Sequence, residues 1–189
     1  MPLLSSILNV SLLVTLVLAL GLSGAAFGLF AHNNILGVCV LDITTDIETG
    51  NHKLCNASLA GYILASICIA VVTMMEFNKL VYGKTANIAG KILQIILLSV
   101  SIVFLLISGI SVTVGWAKTC KTIKNTSGLS CSDKENPFLI VVNNQEMIGS
   151  AVCAFLGLIF TISATLLAVV KNILTRKEDD DEKPIIDKY

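Results

Sequence analysis

Four stretches of this chain, residues 7–30, 59–77, 92–116 and 147–170, each approach the roughly 20 residues needed to cross a hydrocarbon core of about 30 Å. None carries a charge away from its edges: Glu76, Lys91, Glu146 and Lys171 all sit at the margins. A backbone in lipid must satisfy its own hydrogen bonds, so these runs are helices. Their many Ile and Val residues would favour strands in water, but solvent overrides that preference. Only 14% of residues are charged and 54% are hydrophobic, with a mean hydropathy of +0.84. A soluble domain carries about 25% charged residues, and one of this size could not hide so much apolar surface. The expected fold is an all-α membrane protein: a four-transmembrane-helix bundle with small disulfide-tied extracellular or luminal loops. The formal net charge is zero, which gives no basis for a nucleic-acid partner.

The first run admits a second reading, a secretory signal peptide with Ser23-Gly24-Ala25-Ala26 as its cleavage region. The run is longer than the usual core of about 7–15 residues, and no Lys or Arg precedes it, both of which favour a permanent span.

Orientation follows from three signals. Lys79, Lys84, Lys91, Lys171, Arg176, Lys177, Lys183 and Lys188 fall on one side, and Lys53, Lys118, Lys121, Lys124 and Lys134 on the other. The more basic side is expected in the cytoplasm. The sequons Asn56-Ala57-Ser58 and Asn125-Thr126-Ser127 lie on the opposite side, as do Cys39, Cys55, Cys120 and Cys131. The expected plan is a cytoplasmic N-terminus (1–6), an outer loop at 31–58, a cytoplasmic loop at 78–91, a second outer loop at 117–146 and a cytoplasmic acidic tail at 171–189.

In the first outer loop, apolar and polar residues roughly alternate from Val38 to Ile47. A Gly50-Asn51 turn signal and Leu54-Cys55 follow, which together predict a short β-hairpin. In the second, Cys120 and Cys131 bracket a Lys/Thr/Ser-rich loop, and an extended Phe138-Leu139-Ile140-Val141-Val142 follows Pro137. Four outer cysteines allow three pairings; locality favours Cys39–Cys55 and Cys120–Cys131. Neither His32 nor His52 supplies metal-site spacing. Cys68 and Cys153 lie within helices and read as packed thiols. Of the two sequons, Asn125 is the better glycosylation acceptor, because Asn56 immediately precedes a span.

Helices in lipid associate through small residues that let backbones approach. Gly21 with Ala25 and Gly24 with Gly28 offer such seams in the first helix, Ser111 with Gly115 in the third, and Gly149, Cys153 and Gly157 in the fourth. These seams can close the bundle or dock a partner; closing the bundle is the first expectation.

Transport and intramembrane catalysis leave ionisable or polar clusters at mid-membrane depth. Here the helix interiors hold Ser, Thr, Asn9 and Gln94, the last two near the cytoplasmic ends. No phosphate loop, nucleophile elbow or zinc-protease motif is present, so neither an enzyme nor a cofactor is expected.

In the tail, Asp181-Glu182-Lys183-Pro184-Ile185-Ile186 resembles an acidic dileucine sorting signal of the kind read by clathrin adaptors, and Asp187-Lys188-Tyr189 resembles a PDZ-type carboxy-terminus. A solvated tail explains both equally simply. Upstream, Lys171, Arg176 and Lys177 form a basic juxtamembrane stop able to meet anionic headgroups.

Among tetraspan families, the first loop lacks a claudin's tryptophan and the second a tetraspanin's Cys-Cys-Gly. Gly37-Val38-Cys39-Val40-Leu41, Leu54-Cys55, Cys120-Lys121-Thr122-Ile123, Asn125-Thr126-Ser127 and Ser130-Cys131-Ser132 resemble the transmembrane protein 179/179B family, over roughly residues 30–131. That resemblance implies a four-helix membrane protein and brings no catalytic or ligand residues with it. The functional expectation is a non-enzymatic accessory or scaffold subunit lying among membrane lipids beside another integral membrane protein, in the plasma membrane or an endosomal or lysosomal membrane. The alternative is a small oligomeric channel or transporter.

Overall fold

The structure is a computed structural model that describes residues 2–33, 39–42, 52–82, 88–128, 131 and 143–181. Among these residues lie four helices: α1 (Pro2–His32), α2 (His52–Tyr82), α3 (Ile88–Ser127) and α4 (Asn144–Asp181). Each is long and apolar enough to cross a membrane. They pack in a ring, α1 against α2, α2 against α3, α3 against α4 and α4 back against α1. The chain runs up and down, so that one end of the bundle gathers the α1–α2 and α3–α4 connections and the other the α2–α3 connection.

The distribution of side chains is the reverse of a soluble protein's. Ile67, Met74, Val103 and Ile159 are each more than half exposed, while Ser23, Ser101, Ser108, Ser150 and Thr161 are buried. In water, so continuous an apolar exterior would have to find a partner; in lipid it is the solvated surface. The chain is an integral, multi-pass membrane protein. Many hydroxyls along the helices are satisfied locally, while Ser108 Oγ is buried without a partner among the described residues. Thr73, Ser101, Thr113, Thr161 and Thr165 each donate to the carbonyl four residues earlier, at 2.6–2.8 Å. Bonded back in this way, they can sit at membrane depth without forming a polar site.

The interior is apolar along its length, from Leu12, Leu16, Val72 and Ala168 at one end to Phe30, Tyr62, Trp116 and Met147 at the other. The rings of Phe30 and Tyr62 meet edge-on with centroids 6.0 Å apart. Glycine sets the closest helix approaches. A Cβ on Gly61 would collide with Ser108 Oγ as it is placed, so the Ser108 hydroxyl takes the space that Gly61 leaves between α2 and α3. A Cβ on Gly157 would lie 3.5–3.7 Å from Leu22 Cβ and the α1 backbone, so α4 packs closely on α1 there.

The helices run further than the apolar runs alone predict. α3 continues through the Lys/Thr/Ser-rich stretch expected as loop, because Trp116, Thr119 and Ile123 keep a helical inward stripe buried. Gly128 ends it with a left-handed φ of 73°, and its N–H donates to Lys124 O at 3.0 Å. The predicted hairpin is corrected at both described parts. Residues 39–42 form no strand, and Leu54 and Cys55 belong to the first turns of α2. The physical reason is burial: a helix from His52 turns Cys55 and Ser58 inward together. Residues 43–51 and the segment 138–142, expected to be extended, lie outside the described residues.

Candidate functional site

Two polar assemblies stand out, one at each end of the bundle. At the first, a short piece of the α1–α2 connection is pinned onto α3. Cys39, Val40 and Leu41 are buried there. Thr119 Oγ1 donates to Val40 O at 2.8 Å, and Asp42 N donates to Gly115 O at 3.2 Å. Asp42 adopts a left-handed φ of 56°, a region that Asp tolerates better than most residues. Gly115 permits this contact: a Cβ on it would lie 3.0 Å from Leu41 Cβ. Lys118 Nζ lies 3.5 Å from Asp42 Oδ2 over the same segment.

Two disulfides hold this end, Cys39–Cys55 with Cα atoms 6.0 Å apart and Cys120–Cys131 at 5.6 Å. The local pairing expected from sequence is the observed one. Cys68 and Cys153 are free, half-buried thiols. Neighbouring helix ends are joined by hydrogen bonds. Trp116 Nε1 donates to Asn144 Oδ1 at 2.8 Å, linking α3 to α4. Asn143 Oδ1 caps α4 by accepting from Gln145 N at 3.0 Å. Asn33 Oδ1 accepts from Asn143 N at 2.9 Å, and Glu146 Oε2 lies 2.8 Å from His32 Nδ1, linking α1 to α4.

The opposite end is held by charge. Glu76 reads from sequence as a residue at a helix edge, yet its side chain is only 3% exposed. It lies on the inward face of α2 with Ile69 and Val72, and its position on that helical stripe carries it into the bundle. Lys79, one turn on, pairs with Glu76 Oε1, and Lys171 from α4 reaches Oε2 at 2.8 Å. Lys79 Nζ also donates to Gln94 Oε1 of α3 at 3.2 Å. A carboxylate this buried is tolerable only when both oxygens are paired, and here they are. Gln94 is 2% exposed, and its Nε2 is buried without an acceptor among the described residues; Asn9 Oδ1 on α1 is likewise buried without a donor. Sequence reasoning placed Gln94 and Asn9 near this end but missed the cluster. Its one legible signal was that Glu76 and Lys79 share a helix face with the buried stripe.

The residues expected to pack helices divide into two groups. A Cβ on Gly149 would lie 3.3 Å from Leu29 Cδ1, Gly157 packs against α1, Gly115 takes the pinned segment, and Ser111 is half-buried on α3. Gly21, Gly24, Ala25 and Gly28 do not close the bundle. All four are exposed, and a Cβ on any of the three glycines would meet nothing within 4 Å. The inner face of α1 is taken instead by Leu12, Leu16, Ala19, Ser23, Ala26 and Phe30. Ser23 accepts from Ser66 Oγ at 3.1 Å, and Ala26 O from Ser150 Oγ at 2.8 Å.

Both sequon asparagines are exposed on helix: Asn56 in the early turns of α2 and Asn125 near the end of α3. Ser58 of the first sequon is buried and donates to Leu54 O at 2.9 Å. Asp181 closes α4, while Ile185 and Ile186 lie outside the described residues. No family model matches the chain, and neither a curated protein nor a solved structure matches it.

Proposed function

We propose that this chain is a non-enzymatic accessory or scaffold subunit that lies beside a second integral membrane protein. The disulfide end faces the lumen or exterior, and the lysine end and tail face the cytoplasm. The observation that carries the reading is the two-sided use of α1. One side is filled by α4 and α2, and the other leaves Gly21, Gly24, Ala25 and Gly28 as a smooth outward strip. Backbones approach closely over such strips in lipid, and the occupant that fits is a single transmembrane helix crossing α1. The polar bonds between helices act as fasteners, which suits a rigid body presenting a surface. The transmembrane protein 179/179B resemblance agrees with this plan. Glycosylation at Asn125 and adaptor recognition through Asp181, Ile185 and Ile186 belong to the same proposal, as the route by which such a subunit reaches an endosomal or plasma membrane.

The test is photo-cross-linking in native membranes, with the reactive residue at Gly24 and a control at the lipid-facing Ile67. A discrete heteromeric adduct at Gly24 and lipid adducts alone at Ile67 are expected. Lipid adducts at both positions, or a homodimer adduct at Gly24, would sink the reading. Orientation is read separately: a glycosidase-sensitive mobility shift that N125Q removes places the disulfide end in the lumen.

A further inference from the structure

The two outer sequons stand on helix, and they stand there in the same way. Ser58 donates to Leu54 O at 2.9 Å and Ser127 to Ile123 O at 2.8 Å, so each sequon hydroxyl is bonded back one turn. A further triplet, Asn9-Val10-Ser11, lies inside the first apolar run. The motif is defined by an asparagine and a hydroxyl two residues on, so an enzyme that reads it must meet both side chains together. In an extended chain, residues i and i+2 line one face. A helix turns about 100° per residue and sets them about 200° apart. The folded chain therefore presents neither outer sequon to such an enzyme, although Asn56 and Asn125 are themselves exposed. What winds each sequon differs. Asn56 adjoins the second apolar run, and entry into lipid winds that segment. The end of α3 stands beyond the third run and is rich in Thr, Asn and Ser, all weak helix formers. Its buried anchors there are Thr119 and Ile123. It is closed by the Gly128 cap and by the Cys120–Cys131 bridge, which returns the chain to α3 and buries Cys131.

We propose that Asn125 accepts a glycan only until the Cys120–Cys131 bridge closes, so that bridge formation and glycan transfer compete for one stretch of chain, and that Asn56 accepts none. In the transfer, Asn125 Nδ2 bonds to the anomeric carbon of a lipid-pyrophosphate-linked oligosaccharide. The bond from that carbon to the pyrophosphate oxygen breaks, the lipid pyrophosphate leaves with the electron pair, and the amide gives up one proton. Bridge closure takes seconds or longer, while synthesis adds about 5–20 residues per second, so the two events fall in the same period. The proposal rests on the orientation given above, with the disulfide end in the lumen.

The full-length chain is pulse-labelled in cells, and its glycosidase-sensitive mobility shift is followed. C120S/C131S should raise the glycosylated fraction about twofold or more, because bridge closure no longer ends the period of acceptance. A reductant pulse during synthesis should do the same for the wild type without any substitution. C39S/C55S leaves the Cys120–Cys131 bridge in place and should not raise the fraction. N125Q should remove the shift from every variant, and N56Q should remove none of it. Equal occupancy in wild type and C120S/C131S, whether partial or complete, would overturn the proposal. So would no rise under reductant, an equal rise in C39S/C55S, or a shift that survives N125Q. A sequon appended after Tyr189 separates this result from the orientation. Glycan there and none at Asn125 would invert the chain and sink both readings, whereas occupancy of Asn125 indifferent to the bridge sinks this one alone.

Discussion

The two ends of this bundle solve the same problem by different chemistry. Where α1 meets α2 and α3 meets α4, covalent bridges and hydrogen bonds tie the helix ends, and the charged contacts there, Lys118–Asp42 and His32–Glu146, lie toward the surface. Two disulfides, the Trp116–Asn144 bond and the pinning of residues 39–42 on α3 all act there. Where α2 approaches α3 and α4, the ties are ionic, from Glu76 to Lys79 and Lys171. The first arrangement holds whatever the surroundings, provided the compartment is oxidising. The second depends on a low-dielectric setting and on every member being present. One end is a fixture, and the other responds to what surrounds it.

The largest expected effect breaks the ionic end. The double substitution K79M/K171M leaves Glu76 buried without a counter-ion and should cost about 3–5 kcal/mol in reversible unfolding. Adding E76L to that pair should recover most of the loss, since a well-packed apolar trio replaces a buried ion set at little cost. If the triple variant is no more stable than the double, the charges are not a coupled set. Next, C39S/C55S should lower stability by about 3 kcal/mol through a freer unfolded chain. Reductant should cost the wild type more than the variant, because it opens both bridges in the former and only Cys120–Cys131 in the latter. A third comparison sets the two faces of α1 apart. G157L intrudes on Leu22 and Ser23 and should cost about 1–3 kcal/mol, whereas G24L meets nothing and should leave the melting temperature unchanged. Equal effects would mean that the outward strip is packed after all. The smallest effect is W116F, which forfeits the bond to Asn144 and should cost about 0.6 kcal/mol, the mean for such bonds in membrane helices.

Much of this architecture was legible in the amino-acid order because lipid leaves a backbone so few options. The uncharged runs at 92–116 and 147–170 had to be helices, and locality favoured the cysteine pairing that the structure has, though sequence left three pairings open. Residues 54–55 misled because the alternation upstream of Gly50-Asn51 is a strand signal, while burying Cys55 and Ser58 on one helical face outweighs it. The direction of small residues was not legible. Gly24 and Gly28 stand one four-residue step apart, and Gly149, Cys153 and Gly157 repeat the same step, and nothing local distinguishes an inward strip from an outward one when the whole helix is apolar. Glu76 was read as an edge charge because its partner Lys171 is far away in the chain, and only the closing of the bundle, with Glu76 turned inward across it toward α4, brings the two together.

The continuation of α3 beyond Trp116 has a consequence of its own. At 1.5 Å per residue, the stretch 117–127 stands about 16 Å tall, braced near its base by Thr119 and Cys120 and ended cleanly at Gly128. If the span ends near Trp116, Asn125 is carried on a stiff mast at a set height and bearing outside the bilayer, and a sugar chain attached there would shade one quadrant of the protein while leaving the others open to approach.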